Sequence, residues 1–159
     1  MCFYILLHVG CNMENEKIIS VRPIGVVKNN VQQPRFGGFA GEVSEIVLDE
    51  KFASALDGIE EYSHIIVVYW MDKVSEAVMH HRPQGTGPEV GIFACRCPAR
   101  PNPIAFSTVP LLSRSGNTLR VRSLDAINGS PVIDIKPYWP QYDFVEKGNV
   151  PDWVNKLKF

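Results

Sequence analysis

The chain has 159 residues, of which 45% are hydrophobic and 21% charged, and its formal net charge is −1. This is the length of one ordinary domain, and no apolar run reaches the roughly 18 residues that a membrane-spanning helix needs. A near-neutral charge also argues against a protein whose whole surface binds nucleic acid. We therefore expect one soluble domain with at most a local basic surface.

The first segment, residues 1–16, is apolar up to Gly10 and has no basic leader, which makes it a poor signal peptide. We interpret it as a tail outside the domain. Whether it is a disordered tail or an upstream mis-assigned start before Met13 stays open. The folded domain is placed at residues 17–159.

Seven short segments rich in β-branched and aromatic residues follow, separated by turn signals: 18–27, 41–48, 64–71, 90–95, 104–112, 118–124 and 132–138. The apolar run Ile65–Trp70 predicts a central strand covered on both faces, and Ser115-Gly116-Asn117 predicts a hairpin turn. Short helices are expected at 52–56, 75–81 and 152–157. The pattern favours an all-β fold, a small single-sheet antiparallel β-barrel of about seven strands with short peripheral helices, because closure leaves no exposed strand edge.

Charge is unevenly spread along the chain. Residues 42–61 contain seven acidic side chains and one lysine, whereas residues 79–122 contain six arginines and one glutamate. The alternation of Thr118–Arg122 puts Arg120 and Arg122 on the same face of a strand, so both are candidates for RNA contact. The alternative is an ordinary solvated strand face.

The four cysteines are Cys2, Cys11, Cys95 and Cys97. In a chain without a secretory leader we expect free thiols and a reducing, cytoplasmic compartment. With His80 and His81 upstream, the last two cysteines suggest zinc, but Cys-x-Cys is not the usual Cys-x2-Cys spacing. We therefore expect no metal site.

The most informative segment is Cys95-Arg96-Cys97-Pro98-Ala99-Arg100-Pro101-Asn102-Pro103-Ile104. Three prolines restrict their own backbone and that of each preceding residue, so the loop has few conformations to lose. A guanidinium offers five donors in a planar fork and stays charged. Arg96 and Arg100 are therefore suited to a carboxylate, phosphate or carbonyl held at fixed geometry.

Residues 91–104, which contain this loop, resemble the signature of the TsaA/TrmO-like family, the tRNA N6-threonylcarbamoyladenosine methyltransferases and their relatives. The similarity extends forward to Ser123-Leu124-Asp125 and 129–138 and back to 24–27 and 62–64, about residues 20–140 in all. The resemblance implies a dimeric β-barrel that binds S-adenosyl-L-methionine without a Rossmann fold and methylates an adenosine in the tRNA anticodon loop. No Gly-x-Gly-x-x-Gly follows a predicted strand.

Carried over residue by residue, the resemblance implies a cofactor pocket made of Gln32, Gln33, Pro34, Asp72, Lys73, Arg96, Phe106, Arg122, Ser123, Leu124 and Asp125. The chemistry is compatible, because an arginine fork suits the carboxylate of the cofactor and an aspartate suits its ribose hydroxyls.

For catalysis we single out Asp134 and Tyr138 as groups near the reacting adenosine. The alternative for Asp134 is a structural ion pair with Lys136. Arg100, Asn102 and Lys136 are assigned to shaping the loop or contacting substrate, and Arg100 with Asn102 has the alternative of bonding backbone carbonyls. Two other functions stay open: a non-catalytic barrel that binds the cofactor, a nucleoside or RNA, and a methyltransferase of another small substrate.

Overall fold

The computed structural model describes residues 18–35, 37–74 and 76–158, and the predicted tail at 1–16 lies outside them. The described residues form eight strands: β1 (Gly25–Lys28), β2 (Val43–Leu48), β3 (His64–Trp70), β4 (His80–His81), β5 (Val90–Gly91), β6 (Ile104–Ser115), β7 (Thr118–Arg122) and β8 (Pro131–Pro137). The helices are short. One α-helix, α1 (Pro140–Asp143), accompanies 3-10 turns at Glu50–Leu56, Ile59–Glu61, Pro83–Gly85, Ile92–Ala94 and Val154–Lys156.

Six strands close a barrel in the order β1-β2-β7-β6-β3-β8, and neighbouring strands are antiparallel throughout. The predicted all-β antiparallel barrel is thus confirmed, together with the hairpin between β6 and β7. One end of the barrel, which we call the upper rim, is where β1, β3 and β7 end and β2, β6 and β8 begin. The opposite end is the lower rim.

The strand predicted at Val90–Cys95 is wrong in extent. Only Val90–Gly91 is a strand, and it pairs with His80–His81 outside the barrel before a 3-10 turn begins at Ile92. The helix predicted at 75–81 is also wrong in the part that the structure describes. Val78 donates its N–H to the carbonyl of Ala99 at 3.0 Å, so this backbone is used in pairing between segments and not within a helix.

The barrel core comes from alternate, inward-facing residues. Ile65, Val67 and Tyr69 of β3 are buried, as are Leu119 and Val121 of β7. The prediction that β3 is covered on both faces is wrong, because its outward residues, such as Ile66 and Val68, are only half-buried. A closed barrel has a single interior, so the outward apolar residues of a central strand remain at the surface.

Arg114, near the end of β6, fastens the 3-10 turns to the lower rim. Its guanidinium donates to the carbonyls of Ala53 and Leu56, both at 3.0 Å, and to the carboxylate of Asp57 at 2.9 Å. The carboxylate of Asp57, followed by that of Glu60 at 3.5 Å, raises the Arg114 pKa. One side chain thereby binds two backbone carbonyls and a carboxylate of these turns.

A second, smaller unit, the side hairpin (residues 76–100), carries β4 and β5 beside the barrel. Ile92, Cys95 and Cys97 form its buried core. Val78, Val90 and Trp153 pack around them. No helix among the described residues is long and apolar enough to cross a membrane.

Candidate functional site

Arg96 projects from the side hairpin toward the upper rim. Because Cys95 and Cys97 face inward and the chain between them is extended, the residue between them faces the other way and is exposed. The Arg96 Nη2 donates to the carbonyl of Phe106 at 3.2 Å, and the guanidinium lies 4.8 Å from the centroid of the Phe106 ring. This is the one hydrogen bond that the guanidinium makes to the part of the chain that the structure describes. Its other donors have no partner among those described residues and are placed to bind a ligand.

Asp125 lies near Arg96 and is tied to the barrel by Tyr69. The buried Tyr69 hydroxyl donates to the backbone carbonyl of Asp125. Burial raises the pKa of Tyr69 to about 12, with a further upward contribution from the Asp125 charge and downward ones from a hydrogen bond to Ser107 and from Arg96. Although Asp125 is exposed as a residue, its surroundings desolvate the carboxylate and raise its pKa, and the Arg96 charge opposes that shift. The Arg96 guanidinium and the partly desolvated Asp125 carboxylate therefore lie near each other at the upper rim.

The chain between β7 and Asp125 has an unusual backbone. Ser123 adopts a φ of 62°, its N–H donates to the carbonyl of Glu42 at 2.8 Å, and its Oγ accepts from the N–H of Gly41 at 3.0 Å. Such left-handed geometry is uncommon outside glycine and is held here by two bonds. Leu124 is fully buried in the core, so only its backbone could contact a ligand. Arg122 is exposed at the end of β7.

The loops after β1 and β3 also meet at the upper rim. Lys73 donates from Nζ to the carbonyl of Gln32 at 3.2 Å. Gln33, Pro34 and Asp72 are exposed beside them. Two of the predicted pocket segments, which are far apart in sequence, are thus in direct contact.

Arg100 points into the side hairpin and not toward the rim. Its Nη1 donates to the carbonyls of Ile92 at 3.0 Å and Cys95 at 2.7 Å, which fixes the loop from behind. Asn102 is exposed, and its carbonyl accepts from the N–H of Ile104 at 2.7 Å. In this geometry Arg100 shapes the loop from which Arg96 extends.

The expectation of free thiols at Cys95 and Cys97 is wrong, since the two form a disulfide with a Cα separation of 5.5 Å. Residues at i and i+2 of an extended chain project to the same side, which brings both sulfurs into the same small core. No group of three or more His, Cys, Asp or Glu side chains that could hold a metal ion occurs at residues 18–35, 37–74 and 76–158.

The two candidate catalytic residues lie apart. Asp134 is on the outer face of β8, opposite Val68, which in turn pairs with Phe106. Two strand spacings separate Asp134 from Phe106, about 10 Å. Its carboxylate accepts from Lys136 Nζ at 2.6 Å and from the N–H of Ile135 at 2.9 Å.

Tyr138 is at the lower rim. Its N–H donates to the carbonyl of His64 at 3.1 Å, and its ring meets the His64 ring edge-on with a centroid distance of 6.2 Å. His64 and Trp70 are the two ends of β3. Six residue steps along a strand amount to about 20 Å. The structure therefore does not bring Tyr138 together with Arg96 and Asp125 within one chain.

Arg120 and Arg122 are exposed on the outer face of β7, as the alternation predicts. Arg120 pairs with Glu45, which pairs with Lys28 on the next strand, and these three side chains line an open cavity of about 590 Å³. Arg120 therefore belongs to a cavity on the β1-β2-β7 side of the barrel.

Two residues of the site are missing from the sequence-based prediction. These are Tyr69 and Trp153. A tyrosine near the end of a buried strand does need a partner for its hydroxyl, which is a usable signal for Tyr69. Trp153 has no such local signal, because its contact is with a segment more than fifty residues away.

Comparison with known proteins gives consistent matches. Residues 25–144 match the family of the tRNA-methyltransferase O N-terminal domain. An S-adenosyl-L-methionine-binding protein of Archaeoglobus fulgidus is 47% identical over 131 residues, which cover 80% of this chain and 94% of that protein. A probable S-adenosyl-L-methionine-binding protein of Methanothermobacter thermautotrophicus is 45% identical over 79% of this chain and 93% of its own.

A mouse tRNA (adenine(37)-N6)-methyltransferase is 32% identical over 65% of this chain but only 25% of its own length. The crystal structure of TrmO from Pseudomonas aeruginosa superposes with a TM-score of 0.69 at 29% identity, covering 84% of this chain. The chain spans 62% of the length of that structure's chain.

Proposed function

Because the chain belongs to the tRNA-methyltransferase O N-terminal domain family, we propose that it binds S-adenosyl-L-methionine and methylates N6 of threonylcarbamoyladenosine next to the tRNA anticodon. The relatives named as binding this cofactor support its use here. The mouse relative named as a tRNA adenine methyltransferase supports the substrate class. A tRNA substrate also implies a cytoplasmic protein.

The observation that carries the proposal is the meeting of Arg96, Asp125 and Phe106 at the upper rim. The unused donors of Arg96 fit the carboxylate of the cofactor, and Asp125 fits its ribose hydroxyls. The half-exposed ring of Phe106, 55% accessible, supplies an apolar surface beside them. The residues present therefore fit this cofactor.

When bound, S-adenosyl-L-methionine supplies a methyl group that its sulfonium has already activated. The chain has to align the nucleophile with that group and exclude water, which can lower a barrier by several kcal/mol through orientation alone. N6 of the substrate loses a proton as its new N–C bond forms, and the neighbouring carbonyl of the carbamoyl group makes that proton easier to remove. Asp134 is the candidate acceptor, and Lys136 Nζ, 2.6 Å from its carboxylate, holds it in place.

We also propose that the protein is a homodimer. The outer face of β3 and β6 presents apolar residues that the barrel leaves exposed, including Ile104 at 42% and Phe106 at 55%. Apolar patches of this kind commonly mark interaction sites. Tyr138, about 20 Å from this site along β3, would act on it only from a second copy. Light scattering of the purified protein tests the dimer, and a monomer at micromolar concentration contradicts it.

The test of the enzymatic proposal is transfer of a labelled methyl group. The purified protein is incubated with labelled S-adenosyl-L-methionine and two tRNA preparations, one containing and one lacking the threonylcarbamoyl modification. Label is expected only in the modified adenosine of the first preparation. Arg96→Ala should abolish transfer, whereas the matched control Arg82→Ala, in the same side hairpin but paired with Glu89, should retain it.

The second candidate is a binding module without catalysis. It is favoured by one finding, namely that the relatives covering most of their own length are named only as binding proteins. A protein that binds the cofactor but labels neither tRNA preparation would support this alternative. Label in both preparations would instead indicate a different adenosine.

A further inference from the structure

The C-terminal segment returns to the side hairpin after leaving the barrel. Residues 139–152 are exposed throughout, but Trp153 is half-buried and packs against the core formed by Ile92, Cys95 and Cys97. The side hairpin thus obtains part of its core from a residue that follows the last barrel strand.

A second contact holds the end of this segment. Gln84 donates from Nε2 to the carbonyl of Lys158 at 2.7 Å, and its Oε1 accepts from the Lys158 N–H at 3.1 Å. Gln84 adopts a φ of 51°, in the left-handed region that residues other than glycine rarely occupy. The side chain of this residue thus bonds both backbone groups of Lys158, as a neighbouring strand would.

The side hairpin needs this support because it is small. Its two strands have two residues each, and an isolated two-stranded hairpin is marginally stable at best. Its buried core is only three residues, two of which flank Arg96 directly. A tryptophan covering that core adds about 150–250 Å² of buried surface. The direction of Arg96 therefore depends on whether this core stays closed.

We propose that Trp153 is a positioning residue for cofactor binding, which acts by closing the core beneath Arg96, with Gln84 as an auxiliary anchor. The C-terminal segment is then a strap that holds the guanidinium against Phe106 at the upper rim. The inference rests on the proposed role of Arg96 in gripping S-adenosyl-L-methionine.

The experiment compares Trp153→Ala, Trp153→Phe and the matched control Trp139→Ala, which removes an exposed tryptophan of the same segment that contacts Tyr142. Calorimetry with S-adenosylhomocysteine measures affinity, and hydrogen exchange measures opening of amides in residues 92–97 and in β3. Trp153→Ala should raise Kd about tenfold or more and speed exchange at 92–97 while β3 stays protected. Trp153→Phe should restore most of the affinity, and Trp139→Ala should behave as wild type.

Coupling to Arg96 separates a positioning role from a general loss of stability. In an Arg96→Ala background, Trp153→Ala should raise Kd by less than about twofold, because the group through which it acts is already gone. If Arg96→Ala alone leaves Kd unchanged, the proposed cofactor grip fails. If Arg96→Ala weakens binding and Trp153→Ala does not, the positioning role is overturned.

Gln84→Ala provides a second route if Trp153→Ala unfolds the barrel. It should raise Kd about threefold and speed exchange at 92–97, since the strap loses one of its two attachments. Unchanged affinity in a folded Gln84→Ala protein whose side hairpin exchanges faster would also overturn the inference.

Discussion

Removal of the Tyr69 hydroxyl should change how the stability of the protein depends on alkaline pH. The folded protein raises the pKa of Tyr69 from 10.0 to about 12, chiefly by burial. The folded state thus favours the neutral hydroxyl. The stability that this preference contributes is fully present below the pKa of the tyrosine in the unfolded chain. It is lost as the pH rises through the pKa of the tyrosine in the folded protein. Tyr69→Phe removes the titrating group and with it this loss.

The size of the effect follows from the two pKa values. Between about pH 9 and pH 11 the unfolded chain ionises this tyrosine while the folded chain largely does not, which lowers the free energy of unfolding by about 1.4 kcal/mol. Near neutral pH the variant should be about 1 kcal/mol less stable than wild type, because the hydrogen bond to the Asp125 carbonyl is absent. The two proteins should therefore have nearly equal stability at about pH 11.

Urea unfolding near neutral pH and at about pH 11, followed by circular dichroism, measures these differences. Tyr142→Phe, which alters an exposed tyrosine, is the matched control and should follow wild type at each pH. Because other groups titrate alike in all three proteins, only the difference from wild type is informative. If Tyr69→Phe loses as much stability as wild type on going to high pH, ionisation of Tyr69 is not the cause and the reasoning is refuted.

Three further substitutions test separate parts of the molecule. Leu119→Ala should lower the free energy of unfolding by about 3 kcal/mol in urea, since the side chain is fully buried, and a loss below about 1 kcal/mol would mean that the barrel core collapses around the cavity. Lys73→Met should raise the Kd for S-adenosylhomocysteine several-fold in calorimetry, because it releases the Gln32 carbonyl. The melting temperature should not change. An affinity equal to that of the wild type would mean that the contact between Lys73 and Gln32 does not contribute to the site. Arg114→Met should lower the melting temperature by several degrees, because its bonds to Asp57 and to backbone carbonyls are lost. Cofactor affinity should stay unchanged. Weaker cofactor binding would contradict a purely structural role of Arg114 at the lower rim.

The barrel was predictable where the alternation of residues is strict. Thr118–Arg122 alternates without exception, and the structure has it as β7 with Leu119 and Val121 inward. The apolar run of β3 was misread, because periodicity does not distinguish a strand covered on both faces from one whose outer face is apolar and half-exposed.

The site was predictable only in part. The resemblance indicated Arg96 and Asp125, and the structure brings them together, whereas Tyr138 follows Asp134 by only four residues and yet lies at the other rim. Along an extended strand four residues amount to about 13 Å, enough to separate neighbours in sequence. Contacts between remote segments, such as that of Trp153 with the side hairpin, leave no local pattern to read.

The antiparallel closure of the barrel has a consequence for how the protein responds to its ligand. The segments that meet at the upper rim follow β1, β3 and β7, and Arg96 comes from outside the barrel altogether, so no single hairpin holds a usable fraction of the proposed pocket. Ligand affinity is then a property of the fully assembled fold. Saturation at 100 times Kd would stabilise the whole molecule by about 2.7 kcal/mol. Bound ligand should accordingly protect the whole domain from proteolysis, and not only the loops that touch it.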